Sequence, residues 1–337
     1  MILGISALGK KKIFIIFAAG KPLSLKIIEK LADYYPNKPL ALSIGMFDGV
    51  HLGHREIIRR LNHKAGEEGL ESALITFWPH PRSVFFPEEK LSLLNTLEEK
   101  LDLLEAAGLQ NVFLQRFDEE FRNISGEDFV KQLLCSRLRM KHIVIGYDHK
   151  FGKNRSGDFQ LLQRLSAEYG YEPEKTEAVY YGDEVISSTK IRTALQQGNI
   201  GKANAMLGYA YKLSGKVIHG KKIGRTIGYP TANLEIDELK LLPRKGAYIA
   251  KATVNGISHK AMMSVMTNPT VGGDSLQTEV HLLDFDGDLY GQTMQVEVLE
   301  RLHDEIKFES VEKLIVRLDE DKRLTQEFFG AGLSVTR

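Results

Sequence analysis

From residue 41 to about 180, short apolar runs alternate with stretches whose apolar residues recur every three or four positions. The runs at 41–44, 72–77, 111–114, 142–145 and 178–180 predict strands; the stretches at about 55–66, 95–107, 125–138 and 158–168 predict helices. Ser125, followed by Asp128, offers a helix cap ahead of Phe129 and Val130. Such alternation implies an α/β fold with a parallel sheet covered on both faces and ligands at the carboxyl ends of the strands. Beyond about residue 210 the pattern changes. Short apolar runs at 212–218, 248–254, 260–265, 278–283 and 293–299 are separated by turns, with Asn255-Gly256 and Asp286-Gly287 as hairpin signals. They predict a small antiparallel barrel or sandwich, followed by a closing helix over 310–329. A helical stretch at about 201–207, ending at the small Gly208, reads as a linker.

At 337 residues the chain is long for one domain, and two domains could each bury a core. The formal charge of +1, from 45 basic and 44 acidic residues, gives no global field for nucleic acid or an anionic membrane. Cys135, the single cysteine, excludes an internal disulfide and fits a reducing, cytoplasmic setting. No apolar run approaches the roughly 20 residues needed to span a bilayer. Near the N-terminus Lys10, Lys11 and Lys12 split two apolar pieces, whereas a signal peptide puts its charges before one apolar core. Residues 1–38 therefore read as a cytoplasmic extension or an early start, with a leader as the lesser alternative, ahead of domains at 39–199 and 211–330 joined by a linker at 200–210. A homo-oligomer is compatible with the sequence but not required by it.

Candidate chemistry sits in a few glycine-rich stretches. Residues 45–54 read G-M-F-D-G-V-H-L-G-H, between the strand at 41–44 and a helix carrying Ile57, Ile58 and Leu61. This strand, turn and helix would point the helix's first free N–H groups at a phosphate in the crevice. His51 and His54 share a face of the first helical turn, where they can orient the phosphate as its charge builds. T-F-W-P-H-P at 76–81 is either an ordinary proline turn over a packed tryptophan or a rigid loop whose aromatics lie against a flat ring. Residues 146–157, G-Y-D-H-K-F-G-K-N-R-S-G, crowd glycines, cations and a carboxylate behind an apolar strand. In I-S-S-T-K-I-R at 186–192 the hydroxyls are either helix caps or, with Lys190 and Arg192, holders of β- and γ-phosphates. Further on, Gly215, Gly220, Gly224 and Gly228 lead to P-T-A-N at 230–233, a spacing that is neither the P-loop nor GxGxxG. Asp284-Phe285-Asp286-Gly287-Asp288 has its glycine misplaced for an EF-hand and reads as a hairpin turn.

The stretch at 45–54 resembles the HxGH signature of the nucleotidyltransferase superfamily. In the form G-x-F-D-G-x-H-x-G-H it is similar to the adenylyltransferase half of prokaryotic bifunctional FAD synthetases. T-F-x-P-H-P, G-x-D-x-x-F-G and I-S-S-T-x-I-R occur there in the same order, and G-x-x-x-G-R-x-x-G-Y-P-T-A-N resembles riboflavin kinase. The resemblance runs from about 40 to 329. It implies a Rossmann-like nucleotidyltransferase domain making FAD and pyrophosphate from FMN and ATP, then an antiparallel β-barrel with a C-terminal helix making FMN and ADP from riboflavin and ATP. For the adenylyltransferase it implies His51 and His54 in catalysis and Gly45, Phe47, Asp48, Gly53, Ser188, Thr189 and Arg192 on ATP. Pro79, His80, Pro81, Asp148 and Phe151 would meet the flavin. For the kinase it implies Gly220, Gly224, Thr231 and Asn233 on ATP, the last two also on magnesium. Arg301 would meet the flavin, and Glu279 would take the proton from the ribityl hydroxyl. The implied partners are small molecules, ATP, riboflavin and FMN, without nucleic acid or membrane.

Some positions leave the family pattern. His149 stands where a Phe is expected, Ser264-Val265-Met266 where Asn-Ile-Gly is expected, and His303 where a second Arg is expected. Met266 cannot reach positive φ as glycine does, and His303 exchanges a permanent cation for a mostly neutral group. Together Ser264, Met266 and His303 suggest a kinase site weakened in flavin or nucleotide binding. Two other readings compete. Another HxGH transferase with a barrel appendage would share HxGH but not the Pro-His-Pro loop or P-T-A-N. A flavin-sensing protein with an inactive kinase half would bind riboflavin without turning over ATP.

Overall fold

The computed structural model describes residues 25–29, 31, 34–81, 92–220, 223–267 and 276–331. Most of the expected extension at 1–38 lies outside the described residues, as do Asn268, Pro269 and Thr270. The chain forms two units, one ending at Ala178 and the other running from Val179 with the segment Leu91–Thr96 attached to it.

The first unit carries a six-stranded sheet of β1 (Lys26–Ile28), β2 (Leu40–Ile44), β3 (Glu71–Phe77), β4 (Asn111–Gln115), β5 (Met140–Ile145) and β6 (Glu172–Lys175). Their order is β1-β4-β3-β2-β5-β6 and every neighbouring pair is parallel. The connections hold α1 (Leu52–Glu68), α2 (Leu97–Ala106), α3 and α4 (Phe159–Tyr169), where α3 opens over Gly126–Asp128 and continues as a π-helix over Phe129–Arg137. Alternate strand residues face opposite sides. Leu40, Leu42 and Ile44 pack with Ile75 and Phe113 toward Phe129 and Leu162, whereas Ala41, Leu74 and Val144 pack toward Ile58 and Leu61. Both faces are buried, so β2 and β3 read as continuous apolar runs. From β2 the chain steps to β3 and β4 on one side, then returns to β5 and β6 on the other. The turn that follows β2 therefore lies at the topological switch point of the sheet, where such folds bind ligands.

The expected strand at 178–180 is a correction. The sheet position belongs to β6, which reads E-P-E-K, and Tyr180–Tyr181 instead pairs antiparallel with Glu184–Val185. As an edge strand β6 needs no apolar face, and Pro173 withholds its missing N–H from no partner there. The short edge strand β1 escaped the apolar pattern for a similar reason.

The second unit begins with the hairpin β7 (Tyr180–Tyr181) and β8 (Glu184–Val185), then α5 (Ser188–Gln196) and α6 (Ile200–Leu207). The stretch read as a linker is α6, with Ile200, Ala203, Met206 and Leu207 buried. Asn204 ties it to the barrel by donating to the Val298 carbonyl at 2.9 Å and accepting from the Tyr211 N–H at 2.8 Å. The barrel consists of β9 (Tyr211–Ile218), β10 (Ala232–Ile236), β11 (Gly246–Val254), β12 (Ile257–Thr267), β13 (Leu276–Leu282) and β14 (Thr293–His303). It closes in the order β10-β13-β12-β11-β14-β9, and α7 (Val311–Gly330), capped by Ser310, packs beside it. Asn255 and Gly256 are both left-handed, as a two-residue hairpin between β11 and β12 requires. Asp286-Gly287 is not a hairpin: β13 pairs with β10 and β12, β14 with β9 and β11, so the chain from 283 to 292 crosses between strands that are not neighbours. The dipeptide reports a turn but not which strands the turn joins.

Candidate active sites

In the first unit the turn after β2 is tightly wound. Phe47 (φ 49), Gly49 (φ 86) and Val50 (φ 33) are left-handed, which is strained for the β-branched Val50. A Cβ on Gly45 would come within 3.0 Å of the Phe47 ring, and one on Gly53 within 3.2 Å of the His51 ring. His51 caps α1, its Nδ1 accepting from the His54 N–H at 3.4 Å. The His51 and His54 rings stack with centroids 3.6 Å apart, and Phe47 stacks on His54 at 4.5 Å. Burial pushes the His51 imidazole down to about 4, only partly opposed by its backbone hydrogen bond. Burial, then the neighbouring His51 and Lys100, holds His54 well below the ordinary imidazole range. Both rings are thus neutral at pH 7. With His51 Nδ1 accepting, its proton sits on Nε2, which can donate to a phosphate oxygen. Asp48 is buried beside them.

The structure adds Lys100, on α2, and joins it with Thr76, the first residue of the 76–81 stretch, near the end of β3. Both donate to the Met46 carbonyl, at 3.0 and 3.1 Å. The signal for Lys100 was its place on the stripe Leu97, Leu101 and Leu104, where a charge is out of pattern. Pro79 is exposed; His80 and Pro81 are half-buried in the same loop. Asp148 is exposed, but Phe151 is buried against Phe129, under Gly157, whose Cβ would fall 2.4 Å from its ring. The Phe151 ring packs into the core and anchors the 146–157 loop. Ser188, Thr189 and Arg192 belong to the second unit, at the start of α5, where Ser187 is the cap and Arg192 donates to the Ser92 carbonyl at 2.9 Å.

In the barrel, Thr231 and Asn233 project from one side of β10 toward β13, whose Glu279 is the register partner of Asn233. Thr231 Oγ1 donates to Glu279 Oε2 at 2.9 Å, and Gln277 Nε2 donates to Glu279 Oε1 at 2.8 Å and also to Asn233 Oδ1. Gly220 and Gly224 make room for this cluster. A Cβ on Gly220 would lie 2.1 Å from Asn233 Nδ2, and one on Gly224 equally close to the Tyr229 carbonyl. Gln277 was not anticipated, although it stands two residues before Glu279 on the same strand face.

Two cavities meet here. One, of about 360 Å³, is mostly apolar and lies between the barrel and α7, with Thr231, Glu279, Met262, Leu302, Phe308 and Leu318 among its walls. The other, of about 600 Å³, is lined by Arg225, Pro230, Asp286, Asp288 and Tyr290, and also by Thr231. Thr231 thus stands on the wall of both. Ser264, Met266 and His303, the three departures, all line the apolar cavity, where His303 Nε2 lies 2.9 Å from Asp321 Oδ2 and Arg317 pairs with the same carboxylate at 2.8 Å. Arg301 is not among the lining residues: its side chain packs against Gly198 and donates to the Lys245 carbonyl at 2.9 Å.

A switch-point turn with paired imidazoles at a helix start is the arrangement of a nucleotidyltransferase-type α/β unit, and the barrel cluster between two cavities is a second, separate candidate site. Two family models match in that order, FAD synthetase over residues 35–190 and riboflavin kinase over 207–329. The chain is 38% identical over 298 residues to the bifunctional riboflavin kinase/FMN adenylyltransferase of Escherichia coli (strain K12), covering 88% of this chain and 94% of that one. It is 35% identical over 293 residues to the Bacillus subtilis (strain 168) protein of the same name, covering 86% and 92%. The chain belongs to the bifunctional riboflavin kinase/FMN adenylyltransferase family. A crystal structure described as a macrolide-efflux protein from Streptococcus pneumoniae is also similar, with TM-score 0.83, 30% identity, and coverage of 90% of this chain and 98% of that one. The efflux description has no counterpart in the two family models. Among the described residues no helix is long and apolar enough to cross a membrane.

Proposed function

We propose that the chain makes flavin cofactors in two steps, phosphorylating riboflavin to FMN in a domain at about 211–330 and adenylylating FMN to FAD in a domain at about 39–199. The observation that carries the kinase reading is the position of Thr231 between a mostly apolar cavity and a more mixed one that has Arg225, Asp286 and Asp288 on its wall, with Glu279 against it. An apolar cavity suits an isoalloxazine ring, a more mixed one a nucleotide, and a phosphoryl group must cross where they meet. Glu279 would accept the ribityl proton as that oxygen bonds to the γ-phosphorus and the bond to ADP breaks. Thr231 and Asn233 present the oxygen donors a hard cation takes, so they fit the magnesium ion the family implies; when bound with ATP, it neutralises charge on the transferring group.

In the α/β unit the FMN phosphate would attack the α-phosphorus of ATP and release pyrophosphate, with no protein nucleophile. Neutral His51 and His54 suit this step as hydrogen-bond donors to the phosphate as charge builds, preorganised by their stack and by the turn. The Pro79–His80–Pro81 loop and Asp148 remain the candidate flavin contacts, and Ser188, Thr189 and Arg192 the candidate phosphate ligands, on the family motifs. A cytoplasmic setting fits Cys135, whose thiol burial pushes up to about 11 and so keeps protonated. The test is direct. The protein is incubated with riboflavin, ATP and magnesium, and riboflavin, FMN and FAD are separated by chromatography. Both products are expected in sequence; riboflavin bound without ATP turnover would favour a flavin sensor, and a different dinucleotide another HxGH transferase.

A further inference from the structure

Lys100 belongs to none of the motifs that define the family, yet it is 3% exposed. A lysine buried this deeply needs fixed partners, because its charge has lost its water. One N–H goes to the Met46 carbonyl at 3.0 Å, which Thr76 also clamps, and the ammonium stands 5.6 Å from the Trp78 ring centroid. Met46 opens the turn whose left-handed residues Phe47, Gly49 and Val50 deliver His51 and His54. Trp78 opens the loop that carries Pro79, His80 and Pro81. One buried cation therefore joins the nucleotide turn after β2 to the candidate flavin loop after β3.

We propose that Lys100 is a positioning residue of the adenylyltransferase centre, its charged ammonium holding the Met46 carbonyl and the Trp78 ring so that the two substrate loops keep one geometry. This rests on the adenylyltransferase reading given above and extends it to a residue that touches neither substrate. The titratable groups facing Lys100 are Asp48 in the turn and His54 on α1; Thr76 faces it from β3. Burial pushes the ammonium down to about 8, against the favourable pull of Asp48. The lysine is charged below that pH and loses its charge above it, while His54 stays neutral throughout.

The experiment compares the parent with Lys100→Arg and Lys100→Met, following FMN adenylylation and riboflavin phosphorylation separately across neutral and alkaline pH. In Lys100→Met the kcat for FAD formation is expected to fall roughly 10²-fold, as for a misplaced reacting pair, with smaller changes in KM and no change in riboflavin phosphorylation. Arginine keeps its charge at any working pH, so Lys100→Arg is expected to recover much of the loss and to lack the parent's decline above about pH 8. A Lys100→Met variant as fast as the parent, an arginine variant with the parent's alkaline decline, or equal loss of both activities would each overturn the proposal. The histidine imidazole resonances provide a readout independent of turnover. Signals of His51 and His54 that do not move in Lys100→Met overturn the proposal even if the parent makes no FAD, whereas absent FAD in the parent alone counts against the adenylyltransferase reading.

Discussion

In the α/β unit one contiguous stretch, residues 45–54, supplies the turn, the helix cap and both imidazoles, whereas the barrel assembles its centre from partners 48 and 44 residues apart in sequence. The first centre is buried and uses neutral rings. The second uses a carboxylate, two amides and a hydroxyl that satisfy one another at the junction of two cavities. The difference is one of what holds the geometry. A local turn is fixed by its own φ angles and by the clamps on Met46, so its chemistry travels with a short motif. The barrel cluster exists only because β10 and β13 pair in the register that sets Asn233 opposite Glu279. A slip of one residue would turn one partner to the other side of the sheet.

The sharpest way to break that comparison is Glu279→Gln. The amide keeps the shape and can still accept from Thr231, but it cannot take a proton. FMN formation is expected to fall by roughly 10²–10⁴-fold, the size of a lost general base. Adenylylation of supplied FMN should be untouched. A variant that phosphorylates riboflavin at the parent rate removes Glu279 from the chemistry.

The converse variants, His51→Ala and His54→Ala, are expected to lower FAD formation by about 10²–10³-fold, the cost of a lost donor to the transition state. Riboflavin phosphorylation should persist, because the histidines and Glu279 belong to different units. If both activities fall together, the two centres are not separate.

How far each centre could be read from sequence follows from the same difference. Gly45, His51 and His54 lie on one turn of chain, and the alternating pattern placed that turn at a strand end, so a local reading sufficed. Thr231, Asn233 and Glu279 came through a resemblance; nothing in their spacing announces that β10 and β13 are neighbours, and β10 itself was absorbed into a ligand motif. Gln277 looks like an ordinary strand polar, which only its partners distinguish, whereas Lys100 stands on the apolar stripe of its helix, a signal that burial makes plain. For Phe151 and Arg301 a motif fixes residue identity, while packing sets the Phe151 ring into the core and the Arg301 guanidinium on the Lys245 carbonyl.

A smaller effect in the α/β unit is its dependence on pH. Burial pushes His51 and His149 down to about 4, from 6.5 for a free imidazole, with Arg155 adding to the effect at His149 against Asp148. The unfolded chain takes up protons below about pH 6.5 that these folded rings refuse. Their contribution is therefore complete above that pH and is lost as pH falls toward 4, by roughly 3 kcal/mol for one such ring at full protonation. His149 Nε2 is buried without a hydrogen-bond partner among the described residues. His149→Phe, which restores the residue expected in the family, should raise the urea midpoint at pH 7 and flatten its decline toward pH 5. A midpoint that falls equally with acid in parent and variant would mean that His149 is not one of the groups responsible.

The finest comparison lies within the kinase cavity, between this chain and its family pattern. Ser264 is the register partner of Glu279 and Met266 that of Gln277, so both departures sit beside β13. His303 is different. It pairs with Asp321, a carboxylate already held by Arg317, so an arginine there would bring a second guanidinium to one partner. The three departures therefore should not act alike. Ser264→Asn returns an amide able to donate and accept, and Met266→Gly clears a long side chain from the cavity wall. One regained hydrogen bond is worth about 1 kcal/mol, or roughly fivefold in KM for riboflavin. The double variant is expected to show that gain with FAD formation unchanged, and adding His303→Arg is expected to add nothing, because Arg317 already supplies the cation. Steady-state kinetics on riboflavin and on FMN decide it. A double variant that binds and phosphorylates riboflavin no better than the parent would mean that the cavity is complete with serine and methionine in place, and that the kinase half is not weakened at all.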